Sequence, residues 1–197
     1  DGGWKHHAIE GAKRPEAVRQ LAIEDVDGDG ALDIVAASSS GWSIIPTKEV
    51  SRATLSYSAP NLTFLLLAPL QFDRGASAIA LVKDSQPLLW SPGSGRFKFA
   101  QLTFVGREND ADQLRSNASG VGIQAAARID SMTTSFIGVR PHSGPGQGLL
   151  PLSIGLAGRD SVDYVKVLWP EGVLQTEIAV DAGARIVIET QRQLSSC

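Results

Sequence analysis

The stretch Asp25-Val26-Asp27-Gly28-Asp29-Gly30-Ala31-Leu32-Asp33 constrains this chain more than any other. Four carboxylates fall within it at alternate or near-alternate positions. Crowding them into one turn is electrostatically unfavourable unless a cation offsets the repulsion. Hard cations such as Ca²⁺ take about six to eight oxygen ligands from carboxylates and carbonyls. Glycine accepts positive φ without a Cβ clash, so Gly28 and Gly30 let the turn close. Asp25, Asp27 and Asp29 can converge on one ion, with Ala31 adding its carbonyl and Asp33 returning from the next strand. An EF-hand or dockerin-type loop shares this start but needs an acid at the twelfth position, and the twelfth residue from Asp25 is Ala36. The exit Leu32–Ala37 is also a β-type run rather than an amphipathic helix. The stretch therefore reads as a β-turn-β site for Ca²⁺. Mg²⁺ fits less well, because it is reluctant to enter an all-protein cage. The bland alternative is a solvated acidic turn with no metal.

Short β-type runs recur along the chain: Leu32–Ala37, Trp42–Pro46, Ala78–Lys83, Phe97–Phe104, Thr133–Arg140, Val162–Trp169, Val173–Val180 and Ala184–Thr190. In Val162–Val167 the two-residue period puts Val162, Tyr164 and Lys166 on one face and Asp163, Val165 and Val167 on the other. Gly (20) and Pro (10) are scattered between the runs, and short strands with frequent turn signals predict an all-β fold. Pro15–Glu24 is the one stretch that could form a helix, with Pro15 at its first position and Ala17, Val18, Leu21 and Ala22 as a stripe. The acidic motif that follows instead calls for a strand or loop leading into it.

Leu21–Trp42 and Leu67–Trp90 share one plan: apolar strand, Asp-bearing turn with glycine, apolar strand, polar turn, Trp. Asp27 matches Asp73 and Trp42 matches Trp90, spacings of 46 and 48 residues. Such periods suit four-stranded propeller blades. The second copy has lost most of its acids, and Ala78 stands at the place of Asp33. Composition shifts near Glu108–Gln113, and beyond it no acidic turn recurs. That predicts two blade-like units over 1–108, a separate β-domain over 109–190 and a tail over 191–197.

Composition excludes several classes. The 197 residues carry a net charge of −3, so nothing favours nucleic-acid binding. The longest apolar run, Leu62–Leu70, contains Thr63 and Pro69 and is too short to span a bilayer as a helix. Cys197 is the lone cysteine, which rules out an internal disulfide framework and a multi-cysteine zinc site. The chain begins Asp1-Gly2-Gly3 and has its one methionine at 132, so it is expected to be a processed chain or a piece of a longer one.

With these residues in view, DVDGDGALDIV resembles the calcium motif of FG-GAP/VCBS repeats, and FDRGASAIALV resembles a degenerate copy. That resemblance implies propeller-blade units and carries the ligand set only to Asp25, Asp27, Asp29, the Ala31 carbonyl and Asp33. The C-terminal block is similar to the ASPIC/UnbV domain, which in that family follows such repeats. The matching pieces are N-x-x-G-V-G at 117–122, S-I-G-L-A-G at 153–158, V-D-x-V-x-V-x-W-P-x-G at 162–172 and I-V-I-E at 186–189. Ile154 stands where the family has an aromatic. The resemblance implies a small β-domain of β-sandwich type and a secreted or cell-surface protein.

Candidate chemistry elsewhere is thin. His6 and His7 are adjacent and would point to opposite faces of a strand, so they cannot chelate one ion together. His142 lies in a Gly/Pro-rich loop with no serine elbow or paired acid. No G-x-S-x-G, H-E-x-x-H, P-loop or G-x-G-x-x-G occurs. Trp4, Trp42, Trp90 and Trp169 could stack on sugars or serve the core, and the repeat positions of Trp42 and Trp90 favour the core. Asn61-Leu62-Thr63 and Asn117-Ala118-Ser119 are N-glycosylation tripeptides. The expected function is a calcium-binding, non-catalytic extracellular interaction module with a protein or glycan partner. Missing blades or another chain would complete it, since two blades cannot close a propeller. The alternative is a polysaccharide-binding or polysaccharide-active propeller module.

Overall fold

The computed structural model describes residues 17–48, 54–71, 73–106, 120–137, 151–183 and 185–189. Trp4, His6, His7, His142, Asn117, Cys197, the 108–113 composition shift and the 191–197 tail lie outside the described residues. The described residues contain fourteen strands and no helix, so the protein is all-β. Among the described residues no helix is long and apolar enough to cross a membrane.

The fold divides into two compact units. Of the described residues, the first holds those in 17–26, 31–65 and 80–88, and the second those in 27–30, 66–79 and 89–189.

In the first unit, β1 (Gln20–Glu24), β2 (Asp33–Ala37), β3 (Gly41–Ile45) and β4 (Leu55–Ser58) form a four-stranded antiparallel meander. β1 lies within the stretch whose spacing permitted a helix, and its residues pair from Gln20↔Ala37 to Glu24↔Asp33. That ladder imposes period two: Gln20, Ala22 and Glu24 are half-buried, whereas Leu21 and Ile23 are exposed. Pairing with β2 outweighs the weak local stripe. Across β3 and β4, Trp42 faces Tyr57 and stacks on it with centroids 4.3 Å apart. The Gln20 side chain mimics a neighbouring strand. Its Nε2 donates to the Leu65 carbonyl, and its Oε1 accepts the Leu65 N–H at 3.0 Å.

β5 (Leu62–Gln71), β6 (Gly75–Val82) and β7 (Leu88–Trp90) form a three-stranded sheet in that order. The two similar sequence stretches therefore lie on β1–β3 and on β5–β7, with Trp42 and Trp90 on the third strand of each.

The second unit contains two further sheets. β8 (Phe99–Val105) is central between β11 (Leu152–Gly155), antiparallel, and β14 (Arg185–Glu189), parallel. The other sheet runs β10 (Met132–Ile137), β9 (Gln124–Ile129), β12 (Ser161–Leu168) and β13 (Leu174–Asp181), all antiparallel. Both sheets contribute to one core: Ala100, Leu102 and Phe104 from β8 and Ile154 from β11 meet Ala125, Ala127, Ile129, Val165, Val167 and Val180 from the other. Strands on both sides of residue 108 thus share the β11-β8-β14 sheet.

The 162–172 stretch forms a hairpin with its turn at Pro170-Glu171-Gly172, where Gly172 N–H donates to the Trp169 carbonyl at 2.9 Å. Trp169 is buried at its end, edge-on to Phe104, and its Nε1 donates to Gln175 Oε1 at 3.0 Å. One detail departs from simple alternation. Val162, Val165 and Val167 are all buried, although period two places Val162 on the opposite face. The ladder has no pair at Asp163 and Ala179, and Ala179 takes φ +54°. The register is the same on both sides of this gap, so no residue is inserted, and the local twist at Ala179 accompanies the change of inward face. Asp163 Oδ2 is turned outward and accepts the Asp130 N–H at 2.7 Å.

Leu102 is fully buried, so Leu102→Ala is expected to cost about 2–5 kcal/mol in urea unfolding. Ile178→Ala, at 78% exposure, should stay within about 0.5 kcal/mol of the unsubstituted protein. Equal losses from the two would contradict this packing.

Candidate metal centre

The β1–β2 connection is closed by the pair Glu24↔Asp33. Gly28 and Gly30 take φ of +81° and +83°, the left-handed conformation the turn needs. Asp27 Oδ1 accepts the Asp29 N–H at 3.0 Å. The carboxylates of Asp25, Asp27 and Asp29 each offer an oxygen, and these oxygens lie within 4.8 Å of one another. Asp25 and Asp27 are half-buried, and Asp29 is 8% exposed. Ionised groups at such spacing repel by about 3 kcal/mol or more per pair at an effective dielectric near 20, before screening by solvent. The three carboxylates could hold a metal ion.

Asp33 is placed differently. Its side chain is buried, and Oδ2 accepts the Val26 N–H at 3.1 Å, tying the end of the turn to its beginning. It is not one of the three clustered carboxylates. Ala31 sits half-buried between the cluster and Asp33. Two neighbours were not singled out by their sequence pattern. Glu24 is half-buried directly across from Asp33, and burial pushes its carboxyl up from 4.5 to about 7. Phe99 is the other, and nothing in its own surroundings in the chain marks it.

Within the second unit, residues 27–30 are held on Phe97–Phe99. Phe97 N–H donates to the Asp27 carbonyl at 2.8 Å, and Ala157 N–H to the Gly28 carbonyl at 2.8 Å. A Cβ at Gly28 would lie 2.7 Å from Phe99 Cε2. The turn at Asp73 meets the same strand: Phe99 N–H donates to the Asp73 carbonyl at 3.1 Å, and a Cβ at Gly75 would lie 2.6 Å from Phe99 Cζ. The matched residues Asp27 and Asp73 thus present the same backbone atom to N–H groups two residues apart, on the segment that leads into β8.

No protein-family model matches the chain, and no curated protein matches it either.

Asp33→Ala removes the acceptor of a buried N–H and should cost about 1–3 kcal/mol in chelator as well as with metal present. A loss seen only with metal would contradict the pinning role. Glu24 yields a pH dependence in metal-free protein. Its folded pKa, about 7, lies above the ordinary 4.5, so the folded state keeps a proton that the unfolded state releases. The stability from this group is full below pH 4.5 and is lost as pH rises through 7. Glu24→Gln should flatten that part of the urea-stability profile in EDTA, and an unchanged slope would reject it.

Proposed function

We propose that this chain is a calcium-binding, non-catalytic interaction module of FG-GAP/VCBS type with an ASPIC/UnbV-like C-terminal part, belonging to a longer secreted or cell-surface protein. The observation that carries the calcium assignment is the convergence of the Asp25, Asp27 and Asp29 carboxylates in one turn. An all-oxygen carboxylate set suits a hard cation, and a β-hairpin loop suits the larger, less demanding Ca²⁺ better than Mg²⁺. The residues of the turn fit the ion. Asp25, Asp27 and Asp29 would bind it, the Ala31 carbonyl and Asp33 would complete the set, and bound Ca²⁺ would cancel the repulsion that opposes closing the turn.

The blade-like character is supported by the antiparallel meander β1-β2-β3-β4 and by the matching placement of the two similar stretches on β1–β3 and β5–β7. Exposed apolar residues on these strands, including Leu21 and Ile23 on β1 and Leu88 and Leu89 on β7, accord with completion by further blades or another chain. The partner is a protein or a glycan. Trp42 and Trp169 are buried and offer no face for stacking on a sugar, which favours the interaction module over a polysaccharide-active one.

Thermal unfolding in CaCl₂ and in EDTA tests this. Calcium at a hundredfold excess over Kd should add about 2.7 kcal/mol and raise the melting temperature. Asp27→Ala and Asp29→Asn should abolish most of that increment. A melting temperature of the unsubstituted protein that is the same in both buffers would reject the calcium assignment.

A further inference from the structure

The second turn has lost most of the acids and one residue, but it too gives its Asp carbonyl to the Phe97–Phe99 segment and sets a positive-φ glycine against the Phe99 ring. Matching Asp27 with Asp73 and Asp33 with Ala78 pairs Gln71 with Asp25 and leaves Asp29 without a counterpart, so one carboxylate, Asp73, remains. The same match pairs Gly30 with Gly75, both at positive φ, and Ala31 with Ala76. Two guanidinium groups occupy the second turn instead. Arg74 Nε lies 3.6 Å from Asp73 Oδ2. Arg96 Nη1 donates to the Ala76 carbonyl at 2.6 Å and to the Arg74 carbonyl at 3.2 Å, while Arg74 Nη1 reaches back to the Arg96 carbonyl at 3.5 Å. Ala76 is the counterpart of Ala31, the residue expected to turn its carbonyl to the ion in the first turn.

A guanidinium carries a permanent positive charge and several donors in a fixed plane. One of its nitrogens bridging two carbonyl oxygens of a tight turn does what a hard cation does: it holds convergent oxygen dipoles together. We propose that Arg96 is the built-in cation of the second turn, so that residues 73–78 close without a metal ion while the first turn depends on one. The contrast with the first turn rests on the calcium assignment above; the role of Arg96 stands on its own contacts. Arg96 is a positioning residue here. Its charge and donors, not the bulk of its stem, hold the turn.

Amide hydrogen exchange of the full chain, in EDTA and in millimolar CaCl₂, tests this with Arg96→Met and Arg96→Lys. Protection of the Gly75–Ala78 amides should be the same in both buffers for the unsubstituted protein. Arg96→Met, which keeps an apolar stem, should speed their exchange about tenfold or more in both. Arg96→Lys should recover part of the loss. The proposal is overturned if calcium strengthens protection at 75–78 in the unsubstituted protein, or if Arg96→Met protects those amides as well as arginine does. Should Arg96→Met fail to fold, the comparison of the two buffers on the unsubstituted protein decides alone. Failure of the calcium assignment would show elsewhere, as amides of 25–33 that ignore calcium.

Discussion

Phe99 has no exposed surface, and two turns 46 residues apart in the chain both close against its ring. The N–H groups of Phe97 and Phe99 take the carbonyls of Asp27 and Asp73, and the ring leaves no room for a Cβ at Gly28 or Gly75. This docking depends on backbone atoms and on the absence of side chains. It therefore leaves the acidic and basic side chains of each turn free to differ. Phe99 is the first residue of β8, the centre of the β11-β8-β14 sheet, so the seat of the turns is continuous with the core of the second unit.

On that common seat the two turns meet the problem of convergent oxygens in opposite ways. The first gathers three carboxylates within 4.8 Å of one another and adds a fourth, Asp33, that pins the turn through the Val26 N–H. Its three carboxylates could hold an ion from solution. The second keeps Asp73 alone, sets Arg74 beside it, and brings in Arg96, whose donors satisfy the Arg74 and Ala76 carbonyls from within. An ion from solution makes stability respond to its concentration, whereas a guanidinium does not.

Much of the strand pattern was legible because alternation and turn residues act locally. The runs at 32–37, 42–46, 78–83, 97–104, 133–140, 162–169, 173–180 and 184–190 each contain or overlap an observed strand. β9, with its three alanines, carried too little apolar contrast to stand out, and β4 is mostly exposed. The stretch before Asp25 was ambiguous for a physical reason. Leu21 and Ala22 fit a helical stripe as well as a strand, and only the ladder to β2 decides between them. Strict alternation sets Val162 opposite Val165, but both are buried, because the ladder is interrupted at Asp163 and Ala179 and that interruption has no sequence signal of its own.

By itself, the sequence determined the all-β class and the clustering of carboxylates at 25–29. Both follow from residues near one another in the chain, where period and spacing dictate geometry. The distinct position of Asp33, the burial that raises the Glu24 pKa and the reach of Arg96 to the carbonyls of the second turn were decided by tertiary structure alone. Each depends on a partner brought close by strand pairing or packing, and nothing in the local spacing of residues says which distant backbone atom a side chain will meet.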